Sequence, residues 1–308
     1  MHKYLKFFLK LAVSLGFVAW IILKTDWAQV LQYLSEIDLW KLVVYVLLIV
    51  FGIAISAHKW RLLANFKNIS RHSFRDFYQF YLTGTFINNF MPSFIGGDTF
   101  RAYQIGHAEK KYIESASSVV ADRITGFVAM TILALLFGLL NLQQTLDNKL
   151  LLLIYSILLL SFLLDILIAK TRDWRLWKKF LALLPQKIAR FITELQDYSR
   201  DSGILTKTIF WGMIFQFVGV ALANLVLFWA LDIQISLLNY FSVIFLISLI
   251  SSIPISINNI GLKEWAYVTF FGIYGLESSA LVTIAILSRF IQMVISFLAL
   301  PAYLKTKK

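Results

Sequence analysis

The 308-residue chain contains no cysteine, four histidines and four prolines. Without cysteine there are no disulfides and no thiolate metal sites, and the redox compartment stays open. His2, His58, His72 and His107 form no ligand-spaced cluster, and the chain has neither a Gly-rich phosphate loop with its lysine nor an HExxH motif. No metal and no cofactor are therefore expected. Charge is also scarce: 15% of residues are charged, against about 25% in a soluble domain. No polar stretch reaches the roughly 50 residues of a small domain, so neither an ATPase nor an aminoacyl-transfer domain is expected within these residues.

What fills the chain is apolar: 59% of it is hydrophobic. Runs with few internal charges cover 5–23, 39–57, 115–140, 150–169, 208–231 and 280–303. Each approximates the roughly 20 residues with which a helix crosses a bilayer. Two further apolar regions, 74–106 and 237–274, are interrupted at Pro92 and Pro254. The expectation is an all-α polytopic membrane helix bundle, a single transmembrane domain over 1–308, with about six full spans and two broken or re-entrant helical hairpins. The first run follows Lys3, Lys6 and Lys10 and is not followed by a small-residue cleavage site, so it is expected to persist as a span.

Lysine and arginine orient the spans, because short basic loops stay cytoplasmic. The N-terminus, 59–75, 101–111, 170–207 and the C-terminus are basic, whereas 25–38, 141–149, 232–240 and 275–279 are not. This alternation predicts both termini in the cytoplasm and a multi-pass protein of the cell membrane. The net charge of +12 then faces anionic lipid headgroups, and no nucleic-acid partner is expected. Residues 171–201 alternate Trp174, Trp177, Leu181, Leu184, Ile188 and Leu195 with Arg172, Arg175, Lys178, Lys187 and Arg190. That pattern reads as an amphipathic cytoplasmic segment, split at Pro185 and suited to an anionic lipid surface.

With this orientation the two interrupted regions open to opposite sides, giving an inverted repeat of 39–140 and 206–304. Asp98 precedes Arg123 by 25 residues, and Glu264 precedes Arg289 by 25. Arg101 and Lys263 each stand nine residues past their proline. Inverted repeats with discontinuous helices are a common way for transporters to build a site near the midplane. Arg289 lies near the middle of its run, where it needs an anion: Glu264, Asp98 or a lipid phosphate. Arg123 has Asp122 beside it. At the breaks, Gly96, Gly97, Asn258, Asn259 and Gly261 suit unwound backbone with positive φ, while Pro92 and Pro254 each remove a helical donor.

These same stretches resemble a known family. NNFMPSFIGGDTFRAYQIG followed by SSVVADRITG, and SSIPISINNIGLKEWAY followed by LSRFIQ, are similar to the lysylphosphatidylglycerol synthetase/flippase transmembrane family over nearly the whole chain. Pro92, Gly96, Gly97, Asp98 and Arg101 match its first motif, and Pro254, Ser256, Gly261, Lys263 and Glu264 its second. Asn258 and Asn259 depart from it, standing where glycines are common. The resemblance implies movement of a phospholipid between leaflets without the lysyl-transfer domain of two-domain relatives; some relatives are linked instead to polyprenyl-phosphate glycolipids.

The function expected is a lipid flippase or transporter and not an enzyme, with a membrane phospholipid or polyprenyl-phosphate lipid as partner. Arg101, Arg123, Lys263 and Arg289, with Asp98, Glu264 and Asp122, are the candidate substrate-binding residues. An intramembrane transferase acting on a polyprenyl-phosphate sugar and a membrane scaffold are the alternatives, and homo-oligomerisation stays open. Because the chain lacks native cysteine, orientation has a clean test. Cysteines introduced at Ser236 and Ser278 should react with an impermeant thiol reagent on intact cells, and reaction only after lysis would overturn the predicted topology.

Overall fold

A computed structural model describes residues 2–69, 72–91, 95–171, 181–256 and 259–305. Among these residues every regular element is helical. The long helices are α3 (Leu39–Phe66), α6 (Tyr112–Leu140), α10 (Ser202–Ala230) and α13 (Ser278–Ala299). Each is long and apolar enough to cross a membrane. Their outer faces are apolar: Leu47, Leu139 and Phe290 are 63%, 62% and 56% exposed, as suits lipid contact rather than water. The protein is an integral membrane protein of helical-bundle type.

Six full spans were expected, and the described residues hold four, or five with one bent pair. The first run forms α1 (His2–Lys24), which turns by 81° into α2 (Trp27–Ser35). The turn is built by Asp26, whose carboxylate accepts from the amides of Ala28 and Gln29 while its own amide donates to Ser279 Oγ. The run at 150–169 lies in α8 (Lys149–Thr171), which follows the short α7 (Leu142–Asp147) and whose segment Lys149–Leu164 is a shorter apolar helix.

Both interrupted regions form helix pairs. The first consists of α4 (Phe74–Asn88) and α5 (Ile95–Glu109), packed on each other, and the second of α11 (Leu237–Ser251) and α12 (Leu262–Gly272). A capping box starts α4: Ser73 Oγ accepts from the Asp76 amide, and the Asp76 carboxylate accepts from the Ser73 amide. Pro254 is exposed in the second break, whereas Pro92 and Asn258 lie outside the described residues. The final short helix is α14 (Leu300–Lys305).

Of the amphipathic segment, 172–180 lies outside the described residues. Its second half is α9 (Gln186–Arg200), and helices cover its inner side. Tyr198 is buried with Leu63 and Ala121, Leu195 packs against that cluster, and the Tyr198 hydroxyl donates to Leu63 O. Lys67 bridges Glu194 and Asp197 at 2.7 and 2.8 Å. The carboxylates on α9 therefore dock it on the C-terminal end of α3, a contact the cation-rich pattern did not reveal.

Where α3 crosses α10, Gly52 meets Gly219: a Cβ on Gly52 would lie 2.8 Å from Gly219 Cα. Gly219 belongs to a π-helical segment, Phe215–Leu222, a wide turn that is frequent at functional sites. Gly52→Val should cost about 1–3 kcal/mol through overpacking and lower the apparent Tm in detergent. Gly16→Ala, at a position with nothing within 4 Å, should leave it unchanged.

Candidate functional site: two cation clusters around a shared cavity

The cavity lies between the two helix pairs, bounded by α3, α6, α10 and α13. Its volume is about 350 Å³, and its lining includes Tyr81 and Thr85 from α4, Arg123 from α6, Gln216 and Asn224 from α10, Ser248 and Ser251 from α11, and Lys263 from α12. A second cavity of about 190 Å³ shares Thr85, Ser251, Lys263 and Gln292 with it and adds Asn88, Asn89, Asn259 and Arg289. Residues that the sequence places in separate units thus line joined space.

The first cluster is a chain of alternating charges. Lys59 Nζ lies 3.1 Å from Asp122 Oδ1, and Asp122 Oδ2 accepts from the Arg101 guanidinium at 3.2 Å. Arg101 also donates to Asp98 at 2.7 Å, and Asp98 accepts from Arg123 Nε at 2.9 Å. Lys59, Asp122 and Arg101 are buried, whereas the Arg123 side chain is 40% exposed. The Arg101 guanidinium lies 4.9 Å from the Trp60 ring centre and 4.4 Å from that of Tyr81, contacts that favour a desolvated cation. The inner end of the chain is thereby fixed, and its outer end, Arg123, reaches the cavity.

The second cluster has a matching pair. Arg289 Nε and Nη2 both donate to Glu264 Oε1, at 3.1 and 3.0 Å, and Nη2 also donates to Asn259 O at 2.9 Å. Glu264 Oε2 accepts from the Gly261 amide at 2.8 Å, closing the first turn of α12. Gly261 has φ 82°, a conformation that L side chains strongly disfavour. Asn259 is also left-handed, with φ 56°, and its side-chain amide donates to Ser251 O. Lys263 Nζ donates to Ser288 Oγ at 2.6 Å. Ser288 and Gln292 then lead to Tyr45, whose hydroxyl donates to Ser288 O and accepts from Gln292 Nε2.

The two acids and the two arginines separated by 25 residues are therefore ion pairs, Asp98 with Arg123 and Glu264 with Arg289. Arg101 and Lys263, at equal distances from their prolines, have different surroundings: Arg101 is held by two carboxylates, whereas Lys263 lines both cavities. Gly96 and Gly97 correct the expectation of unwound backbone, since both lie in the first turn of α5 with ordinary helical φ. Close packing explains the second: a Cβ on Gly97 would lie 2.2 Å from Gly84 O. The freed amide of Gly97 donates to Asn88 Oδ1, and Asn89 Nδ2 donates to Ser296 Oγ.

A family model described as the lysylphosphatidylglycerol synthase TM region matches residues 7–299. The chain belongs to this family. Membership points to a membrane-lipid-related function, and the matched residues span both cation clusters. No curated protein and no solved structure matches the chain.

Sequence reasoning missed Lys59, which stands just past the apolar run 39–57 and reads there as the start of a basic loop. The structure continues α3 to Phe66, which brings Lys59 inside the bundle. Gln216 and Gln292 were also missed. Their one legible signal is polarity inside an otherwise apolar run. Among the described residues no group of three His, Cys, Asp or Glu side chains is arranged to hold a metal ion.

Asp122 is more deeply buried than Asp98, its side chain 3% exposed against 23%. Asp122→Ala leaves Lys59 without its carboxylate and Arg101 with Asp98 alone, and should cost about 3–5 kcal/mol of stability, the range for breaking a buried pair. Asp98→Ala should cost less, as measured by the apparent unfolding transition of both variants in one detergent.

Proposed function

We propose that the protein is a flippase-type lipid transporter that carries a phosphate-bearing headgroup through the cavity between its two helix pairs while the acyl chains stay in the bilayer. The observation that carries this reading is the 350 Å³ cavity with Arg123 on one side and Lys263 on the other, each contributed by a different broken unit. Guanidinium and ammonium groups are natural partners of phosphate oxygens. The serine, threonine and amide side chains around them supply donors and acceptors for a wet polar path. Family membership supports a lipid as cargo.

In this reading 39–140 and 206–304 are inverted repeats, both termini face the cytoplasm, and the protein resides in the cell membrane. The basic loops and the two equally spaced acid–arginine pairs support that arrangement. Rocking of one unit against the other exposes the cavity to alternate leaflets. Asp98 and Glu264 hold Arg123 and Arg289 in place between lipids, and no catalytic residue is assigned.

Purified protein in liposomes carrying a fluorescent phospholipid tests the proposal. Leaflet exchange should exceed that of empty liposomes, and Lys263→Ala or Arg289→Ala should lower it roughly tenfold or more, as expected for loss of one charge-assisted contact. Exchange no faster than in empty liposomes, or unchanged in both variants, would sink the transport reading. Appearance of a chemically new lipid would favour a transferase.

A further inference from the structure

Helix α2 (Trp27–Ser35) lines neither cavity and holds no member of either cation cluster. Its surface divides into three faces. Val30 is buried and Tyr33 half-buried where α2 packs on α13. Trp27, Leu31 and Leu34 are 42%, 68% and 39% exposed, and their i, i+4, i+7 spacing puts them on one stripe of the helix. Gln29, Gln32 and Ser35, with Glu36 at the C-cap, are exposed on the remaining side. A short helix with an apolar stripe, a polar stripe and a protein-facing stripe suits a boundary between hydrocarbon and water.

The neighbouring spans set α2 at such a boundary. α1 has 23 residues, about 35 Å of helix and enough to cross the hydrocarbon by itself. α2 leaves it at 81°, so a spanning α1 sets α2 close to the membrane plane. Trp40 at the start of α3 and Trp229 near the end of α10 are both about half exposed, with ring centres 4.9 Å apart. Lys41 Nζ lies 4.9 Å from the Trp229 ring centre and donates to Trp229 O. Tryptophan at the ends of spans marks the headgroup level. In the chain the apolar stripe lies between the exposed Leu23 of α1 and Leu39 of α3, side chains of the surface that meets lipid. A second copy is the poorer occupant, because a stable interface buries about 800 Å² per partner, more than one tryptophan and two leucines supply.

We infer that α2 is an interfacial helix that docks on one leaflet of the bilayer, with Trp27, Leu31 and Leu34 sunk to the level where headgroups meet acyl chains. Gln29, Gln32 and Glu36 then face the headgroup water. The leaflet is the one at the N-terminal end of α3, opposite the end that α9 covers. Polar contacts tie the docked helix to the bundle. The Asp26 amide donates to Ser279 Oγ and the Tyr33 hydroxyl to Glu277 Oε2, each at 3.1 Å. Glu277 also accepts from the amides of Ser279 and Ala280, closing the first turn of α13. A leaflet that holds α2 therefore fixes the depth at which α13 begins, and α13 is the helix that carries Arg289 and Gln292 to the smaller cavity. The inference stands apart from the transport reading.

The test uses the lack of native cysteine. Nitroxide labels are placed one at a time at Leu31→Cys and Leu34→Cys on the apolar stripe and at Gln29→Cys and Gln32→Cys on the polar one. The full chain is reconstituted in liposomes of phosphatidylcholine and phosphatidylglycerol, and each label is relaxed with oxygen, which collects in hydrocarbon, and with a nickel chelate, which stays in water. Oxygen should dominate at positions 31 and 34, and the order should reverse at 29 and 32. Dominance of the nickel chelate on both stripes means that the helix stands in water, which overturns the inference. Shielding of positions 31 and 34 from both reagents means that protein covers the stripe, which overturns it as well. Each stripe carries two labelled positions, so the comparison survives the loss of one variant that does not elute as a single species.

Discussion

Asp122 occupies the position on which the first unit depends. Its carboxylate is buried between the ammonium of Lys59 and the guanidinium of Arg101, and it is the carboxylate that Lys59 pairs with inside the bundle. Because α3 contributes Lys59, α5 contributes Asp98 and Arg101, and α6 contributes Asp122 and Arg123, the ion chain fixes the relative placement of three helices at once. Packing of Trp60 and Tyr81 on Arg101 keeps water away from the same point, which strengthens the electrostatics and raises the cost of removing any one partner. What emerges at the cavity is the far end of the chain, Arg123.

The second unit reaches a similar outcome by other means. Glu264 serves the backbone and a side chain together, closing the helix start at Gly261 and pairing with Arg289. Lys263 is anchored by a serine hydroxyl and not by a carboxylate. A cation held this way keeps its charge available to a ligand. Between the units, the close contact of Gly52 with Gly219 and the π-helical turn of α10 bring Gln216 and Asn224 toward the cations. Backbone proximity and charge placement are therefore parts of one arrangement, because polar side chains pack near the bundle axis only where helices approach closely.

In the proposed transport, an anionic lipid headgroup would meet the cations of this cavity with negative charge and hydrogen-bonding oxygens. The exposed apolar faces of the helices suit contact with the bilayer. Docking of α9 through Lys67 and Tyr198 covers the C-terminal end of α3 with protein.

Much of this was legible in the chain. Apolar runs specify helices because hydrocarbon offers the backbone no alternative partner, and polar breaks inside such runs mark where a site must be sheltered. The equal spacing of Asp98 from Arg123 and of Glu264 from Arg289 singled out these four charges but left the partner of Arg289 open among Glu264, Asp98 and a lipid phosphate; the tertiary structure pairs Asp98 with Arg123 and Glu264 with Arg289. Other features needed the tertiary structure. Lys59 and Gln216 join the site only because α3 extends past its apolar run and α10 widens at its π turn, and no local pattern encodes either contact. The glycines at Gly96 and Gly97 read as unwound from their identity alone, yet they are helical because α4 presses against them. Composition and spacing determined a lipid-embedded helical protein with charges inside its apolar regions. Which cations stay buried and which face the cavity was decided by packing, because exposure is a property of neighbours distant in sequence.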